Sequence, residues 1–541
     1  MITRLRVCLA RRDGGAVAII TAILMLVFLS LTAFAVDVGN WYAVGLQEQR
    51  AADAAALAGV INMPGDQTGA FKVAKSFASQ NGFTHGAGSA TVVPGVGSQP
   101  SRLKVTVSKT VTNVFGGLMG RPTTTVTKSA VADYAAPVPM GSPCNEFGQD
   151  PDATPAVRGT TCAAVTGKFW ANVNSPNSAK SNGDSYQSLL CGSAVDGCSA
   201  SNAGPNTDYR TDGYFYTISV KQSMPSLTVE LFDPVFVDVG LKCDSANFGG
   251  GGTAATKAKN SVVTDGATRY AGGAASAYCT GDGLYGGSQT METKFTLRSP
   301  GVNQWDPLSF LAVCTKSYKG YSGTLFDALN QTSTLTYRPD IADGFRRWTT
   351  LCTVNNPPVG DYLLQVQSNV GGPPDSANAG NRFAVRATAT NINALSISGR
   401  ENMGIFSNLP GGVTEFYLAR VPSGAAGQVL NVRLFDVGDS DASGTITVVP
   451  PGGGYYSGCT GTGVITMPLP NCQFGVPAAP SPFNGKWQQV SVPIPATYTC
   501  NDSDNTACWV KLQYSYGAGS SPTDVTTWTA SIEGDPVRLV Q

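Results

Sequence analysis

Residues 16–36 read AVAIITAILMLVFLSLTAFAV, an unbroken apolar run without a single charge. As a helix at about 1.5 Å per residue it spans about 31 Å, the thickness of a bilayer's hydrocarbon core. Arg4, Arg6, Arg11 and Arg12 precede it, opposed only by Asp13. That asymmetry predicts a cytoplasmic N-terminus (1–15), a transmembrane helix (16–36) and an extracytoplasmic remainder. A cleaved signal peptide is the other reading, with Ala33-Phe34-Ala35 as a cleavage site. The run is longer than the roughly 7–15 residues of a signal's apolar core.

Cysteine usage fits export. Cys8 precedes the apolar run, and the other twelve cysteines follow it. An even number on the oxidising side is what a disulfide set requires, and no CxxC pair suggests zinc or redox chemistry. Pairing between sequence neighbours is expected: Cys191 with Cys198, Cys459 with Cys472, and Cys500 with Cys508.

Charge and composition narrow the function. Setting aside the four Arg and one Asp before the anchor leaves 32 basic and 35 acidic residues beyond it. So small an excess directs binding to neither nucleic acid nor anionic lipid. The chain has one histidine, His85, in the turn-like Gly82-Phe83-Thr84-His85-Gly86. Most metal-hydrolase and triad chemistry lacks its imidazole as a result, and no GxSxG elbow occurs. Gly281-Asp282-Gly283-Leu284-Tyr285-Gly286 satisfies GxGxxG. Without a preceding strand and a following helix it does not read as a nucleotide loop.

Beyond the anchor, residues 37–62 (VDVGNWYAVGLQEQRAADAAALAGV from residue 36) favour a helix continuing out of the bilayer. Ala51, Ala55 and Gly59 form a stripe of small residues that permits close packing. Residues 63–135 read as a small α+β module: a helix at Phe71–Ser79 with Phe71, Ala74, Phe77 and Ala78 on one face, and alternating strands around Leu103–Ser108 and Thr123–Tyr134. Residues 136–160, with Pro137, Pro139, Pro143, Pro151 and Pro155, read as a linker.

The remainder is mainly β. Tyr214–Val220 followed by Leu227–Asp233 is echoed by Glu415–Val421 followed by Leu430–Asp436, and both second strands end in Leu-Phe-Asp. Two related, jelly-roll-like β-sandwiches at 161–398 and 399–541 account for the echo. Further strands are expected at 293–297, 362–367 and 383–389, and at 487–493, 509–516 and 527–532. Aromatic residues alternating in such strands are expected in the core.

One string suggests a metal. Asp439-Ser440-Asp441-Ala442-Ser443-Gly444 opens like a calcium loop, with oxygens at every second residue and a glycine for the turn. Asp436, Asp439, Asp441 and Ser443 are the candidate ligands. Pro450 stands where an EF-hand would carry Glu, so an acidic hairpin turn is the alternative. Asp233 and Asp238 hold the matching place in the first copy. No other cofactor is expected.

Residues 11–58 resemble the N-terminal domain of the TadG-like Flp pilus-assembly family of the bacterial tight-adherence system. The resemblance rests on Arg11-Arg12-Asp13-Gly14-Gly15-Ala16, the apolar span, Ala35-Val36-Asp37-Val38-Gly39, and the helix from Gln47 through Arg50 to Ala51-Ala52-Asp53-Ala54-Ala55-Ala56-Leu57-Ala58. Pilin-like members processed by a prepilin peptidase carry Glu at the fifth position after the cleavage glycine, where this chain has Ile20, and no von Willebrand A domain is assigned. The resemblance implies a non-enzymatic, membrane-anchored structural protein whose partners are other pilus-assembly or pilin-like membrane proteins. A tethered module that recognises an extracellular glycan is the alternative.

Overall fold

The structure, a computed structural model, describes residues 14–540 except 64–66, 99–101, 135–136, 153–168, 200–203, 245–268, 274–275, 288–289, 302–305, 322, 324, 332, 369–376, 410, 466–468 and 533–536. It is mainly β, with one long apolar helix at the N-terminus, and divides into two compact units: residues 1–135 with 535–541, and residues 136–534.

In the first unit, helix α1 (Gly14–Val60) runs continuously for 47 residues. Two environments divide it. Residues 17–36 are almost wholly exposed, whereas Ala51, Ala52, Ala55, Ala56 and Val60 are buried. Two hydroxyls within the apolar stretch are satisfied internally: Ser30 donates to the Leu26 carbonyl and Thr32 to that of Phe28, both at 2.8 Å. Such back-bonding satisfies a hydroxyl within the helix itself, without water.

The buried half packs on helix α2 (Gln67–Gln80) and on an antiparallel sheet of order β1 (Ala90–Val96), β2 (Arg102–Thr112), β3 (Thr123–Tyr134) and β25 (Val537–Leu539). The face α2 buries is Ala70, Ala74 and Ala78, and Phe77 is exposed. The expected face of Phe71, Ala74, Phe77 and Ala78 is therefore rotated. The reason is the small-residue stripe of α1: a Cβ on Gly59 would lie 2.6 Å from Leu103, 2.7 Å from the Ala70 carbonyl and 3.0 Å from Ala74. At that separation only alanines fit. Strand β25 also departs from the expected boundaries, because the C-terminal segment completes this sheet rather than the second sandwich.

The second unit is built from two long antiparallel sheets around one continuous core. Among the described residues the first has the order β11 (Ala312–Lys319), β10 (Glu292–Arg298), β13 (Gly360–Ser368), β7 (Tyr214–Val220), β15 (Leu395–Arg400), β4 (Pro139–Met140), β17 (Gly412–Arg420), β23 (Trp509–Tyr516), β19 (Gly444–Val449) and β21 (Gln473–Val476). The second has the order β12 (Trp348–Asn355), β8 (Ser226–Phe232), β14 (Asn378–Thr388), β6 (Trp170–Asn174), β16 (Asn402–Asn408), β24 (Thr523–Ile532), β18 (Val429–Phe435), β22 (Trp487–Pro493) and β20 (Thr460–Thr462). Strands β5 (Glu146–Phe147) and β9 (Gly283–Gly286) add to β14.

Each echoed strand pair is thus an arch between sheets rather than a hairpin: β7 and β17 lie in the first sheet, β8 and β18 in the second. The copies are related by a pseudo-twofold between β4 and β15 and between β6 and β16. The short strands at that axis are exchanged. β15, which opens the second copy, pairs with β7 of the first, and β4, which opens the first, pairs with β17 of the second. The two sandwiches therefore do not separate near residue 398. Residues 136–160 are likewise not a free linker over their described part, where β4 is an integral strand and Met140 and Phe147 are fully buried. A chain of aromatic contacts crosses the axis: Phe383–Tyr216 (6.2 Å), Tyr216–Phe147 (4.7 Å), Phe147–Phe169 (5.2 Å), Phe169–Phe416 (6.4 Å) and Phe416–Trp528 (5.5 Å).

The Leu-Phe-Asp echo has a physical purpose. Asp233 (φ +52°) and Asp436 (φ +59°) both turn the chain in the left-handed region, which Asp tolerates better than most residues. The Asp233 carboxylate accepts from the Arg346 N–H at 2.8 Å, and its own N–H donates to the Arg347 carbonyl at 3.2 Å. Asp436 does the same with Gly485 (2.6 Å) and Lys486 (3.1 Å). A tryptophan follows in both copies and packs on the phenylalanine before the aspartate: Phe232–Trp348 at 5.4 Å, Phe435–Trp487 at 5.2 Å.

Replacing Asp436 with alanine strands the buried Gly485 N–H, which costs about 1–3 kcal/mol. Asp436→Asn keeps an acceptor and is expected to cost less. Denaturant melts of the full chain in detergent read both, and equal stability of the alanine variant and the parent would contradict the clasp.

Candidate functional site

The features that bear on function sit where α1 changes environment. Asp37 lies one residue past the apolar run and is 2% exposed. Its carboxylate accepts from three successive backbone N–H groups of the loop after β2: Val114 (2.7 Å), Phe115 (3.1 Å) and Gly116 (2.7 Å). One turn on, the Trp41 indole donates to the Asn113 carboxamide at 2.8 Å. The Asn113 amide in turn donates to the Arg121 carbonyl (2.8 Å) and the Thr124 hydroxyl (3.0 Å). The loop from 113 to 122 is thereby locked to the helix at the end of its apolar half. Glu48, two turns further, is fully buried. Burial pushes its carboxyl above the usual range, against the opposing pull of the Lys109 backbone N–H and the charges of Lys128 and Lys109. Gln49 donates to Asp53 (2.8 Å) and to the Ser129 carbonyl (3.3 Å), which ties the helix to β3.

Several residues of the quoted resemblance acquire roles here. Asp37 makes the clasp and Ala51 and Ala55 the close packing. Gly39 faces open space, and nothing in the structure explains it. The sequence reading missed Glu48 and the loop at 113–122. The signal for the loop was an uncharged stretch, residues 110–120, between Lys109 and Arg121.

Three of the calcium candidates accept from separate backbone N–H groups. Asp436 is spent on Gly485. The Asp441 carboxylate accepts from the Ser521 N–H at 2.8 Å, and the Ser443 hydroxyl accepts from the Ala478 N–H at 3.2 Å. The Asp524 carboxylate accepts from the N–H groups of Gly438 (3.0 Å) and Asp439 (3.3 Å). Burial, then the charge of Asp439, pushes the Asp524 carboxyl up to about 8. Asp439 is raised to about 6 by burial, and Asp436 is raised by burial and by Asp439. In the first copy, Asp238 accepts from the Leu284 N–H at 3.3 Å. Among the described residues, the one group of Cys, His, Asp and Glu whose ligand atoms cluster is Cys500, Asp502 and Cys508. Its two sulfurs are bonded to each other, so neither is a thiolate ligand.

The structure joins Cys191 to Cys198, Cys459 to Cys472 and Cys500 to Cys508, and also Cys243 to Cys279 and Cys314 to Cys352. Two of these close the outer ends of the sandwich symmetrically: Cys314–Cys352 joins edge strands β11 and β12, and Cys459–Cys472 joins the approaches to β20 and β21. The glycine motif at 281–286 is β9 and the bend before it. The buried Asp282 carboxylate there accepts from the Arg382 (2.7 Å) and Val237 (3.2 Å) N–H groups. His85 is exposed and accepts from the Val92 N–H at 3.1 Å. A cavity of about 350 Å³ in the second half is walled by Val464, Ile465, Leu469, Phe474 and Phe483. That lining offers a sugar none of the polar side chains that fix its orientation.

Residues 15–63 match the family model of the Tad domain, Flp pilus-assembly TadE/G-like. This N-terminal segment, most of α1, is a Tad-type domain, and the match points to Flp pilus assembly. No curated protein matches the chain. A solved structure described as the M60 catalytic domain with the CBM51-1 and CBM51-2 domains from Clostridium perfringens ZmpB aligns at 8% identity with a TM-score of 0.14. The alignment covers 81% of this chain and 43% of that one, and a likeness this low carries no argument.

Two expectations follow. Asp37→Ala leaves three loop N–H groups without their acceptor, and hydrogen exchange at Val114, Phe115 and Gly116 should accelerate together while the β2–β3 ladder stays protected. Unchanged protection would remove the clasp. Separately, a carboxyl raised above its unfolded value near 3.9 makes folding take up protons, so stability falls as pH rises from about 4 to about 8. Asp524→Asn should flatten the decline of melting temperature across that window. Calcium held by these carboxylates would compete with the protons, raising the melting temperature more at the alkaline end. No shift at millimolar calcium would exclude such a site.

Proposed function

We propose that this protein is a single-pass, membrane-anchored structural component of a Tad/Flp-type pilus-assembly or adhesion apparatus, with residues 1–15 in the cytoplasm and its bulk outside. The observation that carries the reading is the unbroken helix α1. Its bare apolar half is long enough to cross a bilayer, its other half is the spine of a folded module, and the Tad match covers the passage between them. An apolar helix surface without protein cover is stable in lipid and costly in water. The protein's work in this reading is scaffolding and contact with other pilus-assembly membrane proteins, through the exposed face of the anchor and through the second unit. Five disulfides among the described residues of that unit support an oxidising compartment for it.

Cys8 provides the test of topology. A membrane-impermeant maleimide should leave Cys8 unlabelled in intact cells and label it once the membrane is permeabilised. Labelling in intact cells would reverse the orientation. Loss of the chain should reduce Flp piliation or adherence in a strain that makes such pili, and normal piliation would sink the assembly reading.

A further inference from the structure

The clasp at Asp37 fixes more than the module. Because the Val114, Phe115 and Gly116 N–H groups bind the residue at which the apolar run ends, their loop stands at the level where the helix would leave the hydrocarbon. Its residues suit that level and not water. Val114 is 62% exposed and Phe115 39% exposed, and no charge occurs from residue 110 to 120. Around the helix at this height lie further exposed apolar and amphipathic side chains: Phe34, Val36 and Val38, with Tyr42 70% exposed and Trp41 half-buried. Tyr and Trp concentrate at the headgroup level of membrane proteins.

We propose that the loop tip Val114–Phe115 is a second membrane-contact element, nonpolar and seated at the boundary of headgroups and acyl chains beside the point where α1 leaves the bilayer. This inference rests on the membrane-anchor reading. The occupant is lipid because the tip is continuous with the apolar surface of α1: a bilayer that covers residues 17–36 reaches Val114 and Phe115 by its own thickness. Two contacts on one rigid body, a helix and a tip displaced to one side of it, fix both the tilt and the rotation of the helix, which a lone span leaves to its neighbours.

The test uses the full chain, with Cys8→Ser, purified and reconstituted in phosphatidylcholine vesicles, with one nitroxide at a time on Leu26→Cys, Val114→Cys or Val96→Cys. Val96 is exposed at the far end of β1, paired with Leu103, about 30 Å along the strands from the tip. Collision with oxygen relative to a water-soluble nickel chelate reads immersion. The expected result is an oxygen-to-nickel ratio several-fold higher at 114 than at 96, approaching that at 26. A water-like ratio at 114 with an immersed 26 overturns the inference and leaves the anchor standing. Water-like ratios at both positions overturn the anchor as well. A label at 114 shielded from both reagents means that a second copy of the chain covers the tip, which also overturns the proposal.

Discussion

A helix that crosses a bilayer satisfies its own backbone, so nothing in the span itself tells a folded module where to attach. In this chain a single buried carboxylate does so. Asp37 directly follows the apolar run, and three consecutive N–H groups of a tight loop have no strand or helix partner of their own. Each side solves the other's problem, because a buried carboxylate needs donors and a bent backbone needs an acceptor. Below that point α1 presents an uninterrupted apolar surface, and above it alanines and Gly59 admit α2 and β2 to within touching distance. The environment of one continuous helix therefore switches within about four turns.

The second unit meets a different constraint, the exposure of sheet edges. Two separate sandwiches would each present open edges at both ends. Exchanging β4 and β15 between copies merges the sheets, so the inner edges vanish into continuous ladders and the aromatic chain from Phe383 to Trp528 fills the junction. At the outer ends, where no further copy exists, disulfides link the two sheets instead. The Leu-Phe-Asp arches make the duplication possible. Each carries the chain from one sheet to the other with the same left-handed aspartate and the same tryptophan behind it.

The sequence made some of this legible and hid the rest for physical reasons. The apolar run, the helix beyond it and most strands are local patterns, and α1, β3, β10, β13, β22 and β23 follow the periodicity of their own residues. The echo was visible because Leu-Phe-Asp stands at the same place in both copies. What it does was not, since the partners that make it an arch, Arg346 and Gly485, are distant in sequence. The sheet merger was equally hidden: β4 is two residues long in a proline-rich stretch, and its strandness is conferred entirely by β15 and β17. The calcium reading rested on spacing alone. Alternating oxygens fit a metal loop by spacing, and in the fold Asp436, Asp441 and Ser443 each accept from a different backbone N–H. Asp37 was quoted as part of a recurring string, while its loop partners lay some 77 residues on, beyond any local rule.

The chain path adds a mechanical consequence. The second unit leaves the first after Tyr134, at the end of β3, and returns as β25, whose Val537 pairs with Tyr134 itself. The whole excursion thus begins and ends at one pair of residues, on one sheet. Load applied through the second unit reaches both strands from the same end, which separates antiparallel partners one pair at a time rather than shearing all of them together. The three pairs of β25 peel first. Strand β3 then carries the load, held by eleven pairs to β2, by the Arg102–Asp133 ion pair at its loaded end and by α1 along its length. The short return strand sets the order of failure, and α1 is reached last.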